Sequence, residues 1–155
     1  MKLSGPMLVV HSMEQSKEFY KKVLRQRITV DFGANVTFSG GFSIQEEQCW
    51  KGFIHHKDVS FGGNDFELYF EEEKFDALLE HLEKFDLEYV NPVEEQAWGQ
   101  RIVRFYDPDR HIIEVGENLQ DVIVRFLKQG MTPEEVSEKT MMPLKRVISI
   151  QNKMK

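Results

Sequence analysis

The chain has 155 residues, of which 41% are hydrophobic and 30% are charged, and its formal net charge is −6. This length suits one ordinary domain or two small modules that share a core, and the composition favours neither a disordered nor a membrane class of protein. An acidic chain is poorly suited to broad contact with nucleic acid phosphates, so a small organic molecule is the expected partner. Apolar runs fall far short of the roughly 20 residues that a transmembrane helix needs. A single cysteine, Cys49, and the absence of a signal-peptide pattern predict a cytoplasmic protein.

The first half of the chain predicts a strand, a helix and three further strands. Residues 7–10 form a short apolar run, and Ser12 with Gln15 three positions later fits a capping box that opens a helix. After Arg25 the hydrophobic period changes to two, which indicates strands. The alternating segments are 28–32, 36–38 and 42–44.

The second half repeats that order after a predicted loop, Cys49–Gly63. Alternation over 66–70 predicts a strand, and an apolar stripe over 75–85 predicts an amphipathic helix. Three extended segments follow, at 87–90, 101–106 and 111–115. Because neither half can bury both faces of its own sheet, the two should curl together around a groove, which is the natural ligand site.

The last part of the chain predicts a helical tail, 117–155. Helical spacing of apolar residues ends at Gly130, and Thr132 with Pro133 and Glu135 marks a second, capped helix start. A third helix follows Pro143, so the tail has the form of a helix-turn-helix. The acidic residues Glu134, Glu135 and Glu138 disfavour DNA as a partner of the tail. The favoured interpretation is that the tail packs against the domain or a second subunit.

Two segments carry a resemblance to a known family. SKEFYKKVL at 16–24 and WGQRIVRFYDPDRHIIEV at 98–115 resemble the vicinal oxygen chelate superfamily, which includes glyoxalases, fosfomycin and bleomycin resistance proteins and extradiol dioxygenases. The resemblance implies an α+β fold in which two βαβββ modules form a curled mixed sheet around a groove. The glyoxalase/bleomycin-resistance-like domain would span 1–116, with modules at about 1–48 and 64–116. Members of this family commonly form homodimers.

The same resemblance identifies four positions where metal-dependent members place ligands, on the first and last strands of each module. Here they fall at or near Gly5, Gln45, Asp65 and Glu114. The family's histidines are missing, and a site for zinc, nickel or iron usually needs imidazole or thiolate ligands. A magnesium or manganese site built from Asp65, Glu114 and water is chemically allowed. Asp65 is alternatively a turn residue, and Glu114 is alternatively a pocket carboxylate paired with a donor such as Arg101.

Five residues form the predicted ligand-binding set. Trp98 lies in a loop before a strand that should border the groove, although such rings are often simply core. His111 directly follows the turn Asp107–Arg110 and is expected to line the groove. The complete set is Gln45, Trp98, Arg101, His111 and Glu114.

Two functions follow from the resemblance. In the first, the protein is a binding module of the glyoxalase/bleomycin resistance type that captures a small organic molecule without the usual metal site and without a cofactor. In the second, it is a lyase, isomerase or transferase of the glyoxalase type, in which a divalent ion would polarise paired substrate oxygens. The missing histidines favour the first.

Overall fold

The computed structural model describes residues 1–154 and confirms the α+β class with two βαβββ-like modules and C-terminal helices. The strands are β1 Met7–Val10, β2 Ile28–Asp31, β3 Asn35–Phe38, β4 Ser43–Glu46, β5 Glu67–Glu72, β6 Tyr89–Glu95, β7 Arg101–Tyr106 and β8 Ile112–Glu117. The helices are α1 Met13–Lys22, α2 Glu47–Phe53, α3 Phe75–Leu82, α4 Leu119–Lys128, α5 Pro133–Thr140 and α6 Leu144–Lys153. Every helix within residues 1–154 is too short or too polar to span a bilayer.

Two four-stranded sheets have the same strand order, which explains the repeat seen in the sequence. Sheet A is ordered β1-β4-β3-β2, and sheet B is ordered β5-β8-β7-β6. In sheet A, β1 pairs parallel with β4, and β4 pairs antiparallel with β3. Each module therefore places its first strand beside its last. The groove expected between the modules stays a prediction.

The described chain divides into two compact units. Unit 1 comprises Met1–Glu67, Phe85–Leu87 and Tyr106–Ile112, and unit 2 comprises the other segments, including the C-terminal helices. The core of unit 1 is aromatic: the rings of Phe38 and Phe42 stack 5.0 Å apart, and the fully buried ring of Tyr20 in α1 packs on both. In unit 2, the buried residues of α3 are Phe75, Leu78 and Leu82.

Three predicted elements can be compared directly with the structure. The predicted loop Cys49–Gly63 was wrong at its start, because α2 occupies Glu47–Phe53 with its amino end capped by the Glu46 side chain. Strand β6 extends to Glu95, well beyond the predicted 87–90. The capping-box prediction at Ser12 is confirmed for the bond from the Gln15 backbone N–H to the Ser12 side chain.

Candidate functional site

The two faces of sheet B carry different chemistry. Side chains of a strand point alternately to opposite faces, so Arg101 and Arg104 of β7 lie on opposite sides of the sheet. Arg101 lies on the side that α3 covers, where its guanidinium is 5.1 Å from the centre of the Phe75 ring and 2.7 Å from Asp76. We call the other side, which carries Arg104, the distal face.

An ion pair between Arg104 and Glu114 lies on the distal face. Nη2 of Arg104 contacts Oε2 of Glu114, and the two side chains are 29% and 10% exposed. The prediction that Arg101 partners Glu114 was wrong. Arg101 instead binds Glu117 of β8, with Nη2 3.1 Å from Oε1. The reason is register: the Asp107 N–H donates to the His111 carbonyl across the turn, so an antiparallel hairpin sets Arg104 opposite Glu114.

Gln100 connects two aromatic residues of unit 2. Its Nε2 donates to the Tyr69 hydroxyl at 2.9 Å and to the Glu117 carbonyl at 2.7 Å, and its Oε1 accepts from the Trp98 indole at 3.0 Å. A Cβ at Gly116 would lie 3.1 Å from the Tyr69 hydroxyl and 2.8 Å from Gln100 Nε2. Both side chains therefore lie over Gly116, beside Glu114 on the distal face.

Tyr69 is an exposed aromatic residue of this face, with 46% of its surface accessible. Burial of its hydroxyl raises its pKa, the hydrogen bond from Gln100 opposes this, and the charges of Glu71 and Glu114 raise it further. The phenol therefore stays protonated at neutral pH. It can donate or accept a hydrogen bond while its ring offers an apolar surface.

On the side covered by α3, Glu117 is shared by two arginines. Nε of Arg101 and Nη2 of Arg125 in α4 each lie 3.2 Å from Glu117 Oε2. Burial alone would raise the pKa of Glu117, but its contacts with these guanidinium groups outweigh burial and lower it. This cluster joins β7 and β8 to the C-terminal helices and has a structural role.

The remaining predicted ligand-binding residues lie in unit 1 and are occupied by local contacts. Gln45 is 3% exposed, donates to the Ala34 carbonyl at 2.7 Å and accepts from Asn35 at 3.0 Å. His111 is half-buried, and its Nδ1 lies 2.9 Å from Asp107 Oδ2. Both side chains stabilise unit 1, and their role in ligand binding stays a prediction.

The turn at 107–111 is held to α1 through its two buried aspartates. Asp107 accepts a 2.7 Å hydrogen bond from the Tyr20 hydroxyl. Burial and the nearby Asp107 charge raise the pKa of Tyr20 well above its ordinary value. Asp109 contacts His11 Nδ1 and accepts a 3.4 Å hydrogen bond from Ser16. The DPD motif therefore stabilises unit 1 and supplies no open chemistry of its own.

The residues at the predicted metal positions do not supply three ligating side chains to one ion. Gly5 precedes β1 and allows a close backbone approach, since a Cβ there would lie 1.9 Å from the Gly41 carbonyl oxygen. Asp65 is exposed and precedes β5. Within residues 1–154, no group of three or more His, Cys, Asp or Glu side chains is arranged to hold an ion. This donor set therefore lacks the three protein ligands that a zinc, nickel or iron site usually needs, and a magnesium or manganese site at Asp65 and Glu114 stays a prediction.

Comparison with known proteins identifies relatives of the first 120 residues. A family model described as "Glyoxalase-like domain" matches residues 3–120. A solved structure of a protein of unknown function from Agrobacterium tumefaciens str. C58 is 39% identical, with a TM-score of 0.70, and the match covers 76% of this chain and 94% of that chain. No curated protein is significantly similar to this chain.

Two more distant structures share the fold. A glyoxalase/bleomycin resistance protein/dioxygenase from Nocardioides is 18% identical, with a TM-score of 0.62, over 76% of this chain and 83% of that chain. Fosfomycin resistance protein FosX from Mesorhizobium loti is 19% identical, with a TM-score of 0.56, over 76% of this chain and 92% of that chain. At these identities the likeness concerns the fold alone.

Proposed function

The chain belongs to the glyoxalase-like domain family, and on that premise we propose that it captures a small organic molecule on the distal face of sheet B without a metal ion. The observation that carries the proposal is the ion pair of Arg104 with Glu114. In metal-dependent members, as the sequence resemblance implies, a carboxylate at this position binds the ion. Here a guanidinium of the same chain supplies the positive charge beside it.

The chemistry of the distal face favours a ligand with both an aromatic part and oxygen acceptors. The guanidinium of Arg104 recognises carboxylate or phosphonate oxygens through paired N–H groups. The rings of Tyr69 and Trp98 offer apolar surface, and Gln100 fixes both through hydrogen bonds. Ligand sites commonly combine an apolar wall with a few fixed polar groups in this way. The proposed ligand class is therefore an aromatic or unsaturated organic acid.

The experiment compares thermal melting of the full chain with aromatic carboxylates and phosphonates against melting with Mg²⁺, Mn²⁺, Ni²⁺ and Zn²⁺. A ligand at 100 times its Kd stabilises the native state by about 2.7 kcal/mol. We expect an organic acid to raise the Tm and divalent ions to leave it unchanged. Arg104→Met should abolish the shift, whereas Arg101→Met should keep it because Arg101 lies on the other side of β7.

Two results would contradict this function. One is stoichiometric metal in the purified protein that is lost in Glu114→Gln, which would support the alternative of a divalent-metal-dependent lyase, isomerase or transferase. The other is an organic acid shift that survives Arg104→Met and is lost in Arg101→Met, which would move the site away from the distal face.

We also propose that the protein is a cytoplasmic homodimer. A single cysteine, Cys49, leaves no internal disulfide, as is usual in a reducing compartment.

The outer edge of sheet B exposes Tyr89, Val90 and Val93 beside α3, around an open groove of about 460 Å³. An apolar sheet edge of this kind suits contact with a second copy. Analytical ultracentrifugation should report a dimer that Val93→Glu converts to a monomer, and a monomeric wild type would contradict this.

A further inference from the structure

The C-terminal helices lie almost entirely beyond the family domain and have a hydrophobic core of their own. The family match ends at residue 120, one residue after α4 begins at Leu119. Helices α4, α5 and α6 pack together in unit 2 around six buried side chains, Val122, Ile123, Phe126, Val136, Val147 and Ile150. A function beyond the family domain is therefore to be sought on the outer surface of this three-helix cluster.

Helices α5 and α6 are connected by a short turn, as in a helix-turn-helix. The Thr132–Glu135 capping box begins α5 at Pro133, and only three residues separate α5 from α6. The first of them, Met141, has φ 56°, the left-handed conformation in which helix-ending turns usually place glycine. In DNA-binding proteins with this arrangement, the second helix lies in the major groove and the first crosses the phosphate backbone.

Charge is distributed unevenly between the family domain and the tail. Residues 1–118 contain 13 Lys and Arg against 22 Asp and Glu, whereas residues 119–155 contain seven against four. The acidic net charge of the whole chain therefore describes the family domain and not the tail. Such asymmetry within a chain is typical of proteins with a nucleic-acid-binding segment.

Helix α6 itself contains no acidic residue. Lys145, Arg146 and Lys153 are all exposed, and none of them forms an ion pair with another of the residues 1–154. At 100° per residue, Lys145 shares its outward face with Ser149 and Asn152, opposite the buried Val147 and Ile150. Lysine and asparagine are side chains that read base edges in the major groove.

The acidic residues of the motif lie on α5. The Glu135 carboxylate is bound to the Thr132 backbone N–H at 2.7 Å and to its hydroxyl at 3.0 Å. It is thus fixed at the start of α5. Glu134 and Glu138 are also on α5, which in this arrangement does not enter the groove. The acidic residues therefore lower the affinity without occupying the outward face of α6.

We propose that α6 binds duplex DNA in the major groove, with Lys145, Ser149 and Asn152 toward the bases and Arg146 and Lys153 toward the phosphates. Two phosphate contacts give a weak, salt-sensitive interaction. For two neutralised phosphates the slope of log K against log salt is about −1.8, which corresponds to about a 12-fold loss of affinity between 50 and 200 mM salt.

The experiment measures fluorescence anisotropy of a labelled duplex of about 24 base pairs with the full chain over that salt range. Lys145→Gln/Arg146→Gln removes one contact to the bases and one to the phosphates, so we expect weaker binding and a slope that falls to about −0.9. Lys57→Gln/Lys84→Gln removes the same charge from exposed positions outside the tail and should keep the wild-type slope. The single variant Lys145→Arg keeps both positive charges and should bind DNA as the wild type does. Circular dichroism should show that all variants are folded.

Three results would overturn the proposal. The first is wild-type anisotropy that does not respond to protein at 50 mM salt. The second is an equal loss of affinity in both double variants, which would mean that overall charge and not α6 attracts the DNA. The third is a change in sedimentation of the α6 double variant with no change in DNA binding, which would make this surface a contact between copies of the chain.

Discussion

Replacing Arg104 by methionine tests whether the distal-face ion pair is a coupled unit. The substitution keeps the apolar stem of the side chain but leaves the carboxylate of Glu114, a residue only 8% exposed, without its guanidinium. Breaking a fully buried pair costs about 3–5 kcal/mol, and a surface pair is worth about 0.2–1 kcal/mol. Because the Arg104 side chain is 29% exposed, we expect an intermediate loss of about 2 kcal/mol in the free energy of unfolding. For a chain of this size that lowers the Tm by about 4–8 °C.

The assay is a double-mutant cycle of Arg104→Met and Glu114→Gln, read by urea denaturation. If the two side chains act as a pair, the double variant should lose less stability than the sum of the single variants, with a coupling energy above about 0.5 kcal/mol. Arg27→Met, at an exposed position in unit 1, is the matched control and should lie within about 0.5 kcal/mol of the wild type. Additive single effects, or an Arg104→Met variant as stable as the control, would refute the coupling.

Two further predictions concern contacts that stabilise the fold. Tyr20→Phe removes a buried hydroxyl that donates a hydrogen bond to Asp107 at 2.7 Å. The free energy of unfolding, measured in urea, should therefore fall by about 1–3 kcal/mol. A loss below about 0.5 kcal/mol would show that Asp107 needs no donor there. The lowered pKa of Glu117 means that its contribution to stability is present above about pH 4.5 and is lost as the pH falls through that lowered pKa. Glu117→Gln should therefore flatten the acid side of the curve of stability against pH, and an unchanged curve would contradict this assignment.

Much of the fold could be predicted because the two modules repeat one another. Alternation of apolar residues located the strands, and the capping signals at Ser12 and Thr132 located helix starts that the structure confirms. Helix α2 was missed because EQCWKGF contains no apolar stripe, and none of its residues is buried. It depends on a cap at Glu46 and on an ion pair of Glu47 with Lys51, which give only a weak signal in sequence.

The candidate site was predicted less well, because a strand's partners depend on register. Glu114 was identified from the sequence, but Arg101 was chosen as its donor. Counting outward from the turn at 107–111 places residue 104 opposite 114, so the sequence contains the signal for Arg104. Gln100 could not be found in this way. Its contacts with Tyr69 and the Glu117 carbonyl join separate segments of unit 2, and only the folded chain brings those segments together.

The Arg104–Glu114 pair is difficult to explain by stability alone. Replacing a buried ion pair by apolar residues of similar volume is often neutral or stabilising by about 1–4 kcal/mol. A strand with Ile102, Val103 and Phe105 nearly or fully buried would readily accept an apolar residue at position 104. A charge that costs desolvation at such a position is better explained by recognition, since a guanidinium held by the Glu114 carboxylate is already oriented when a ligand with acidic oxygens arrives.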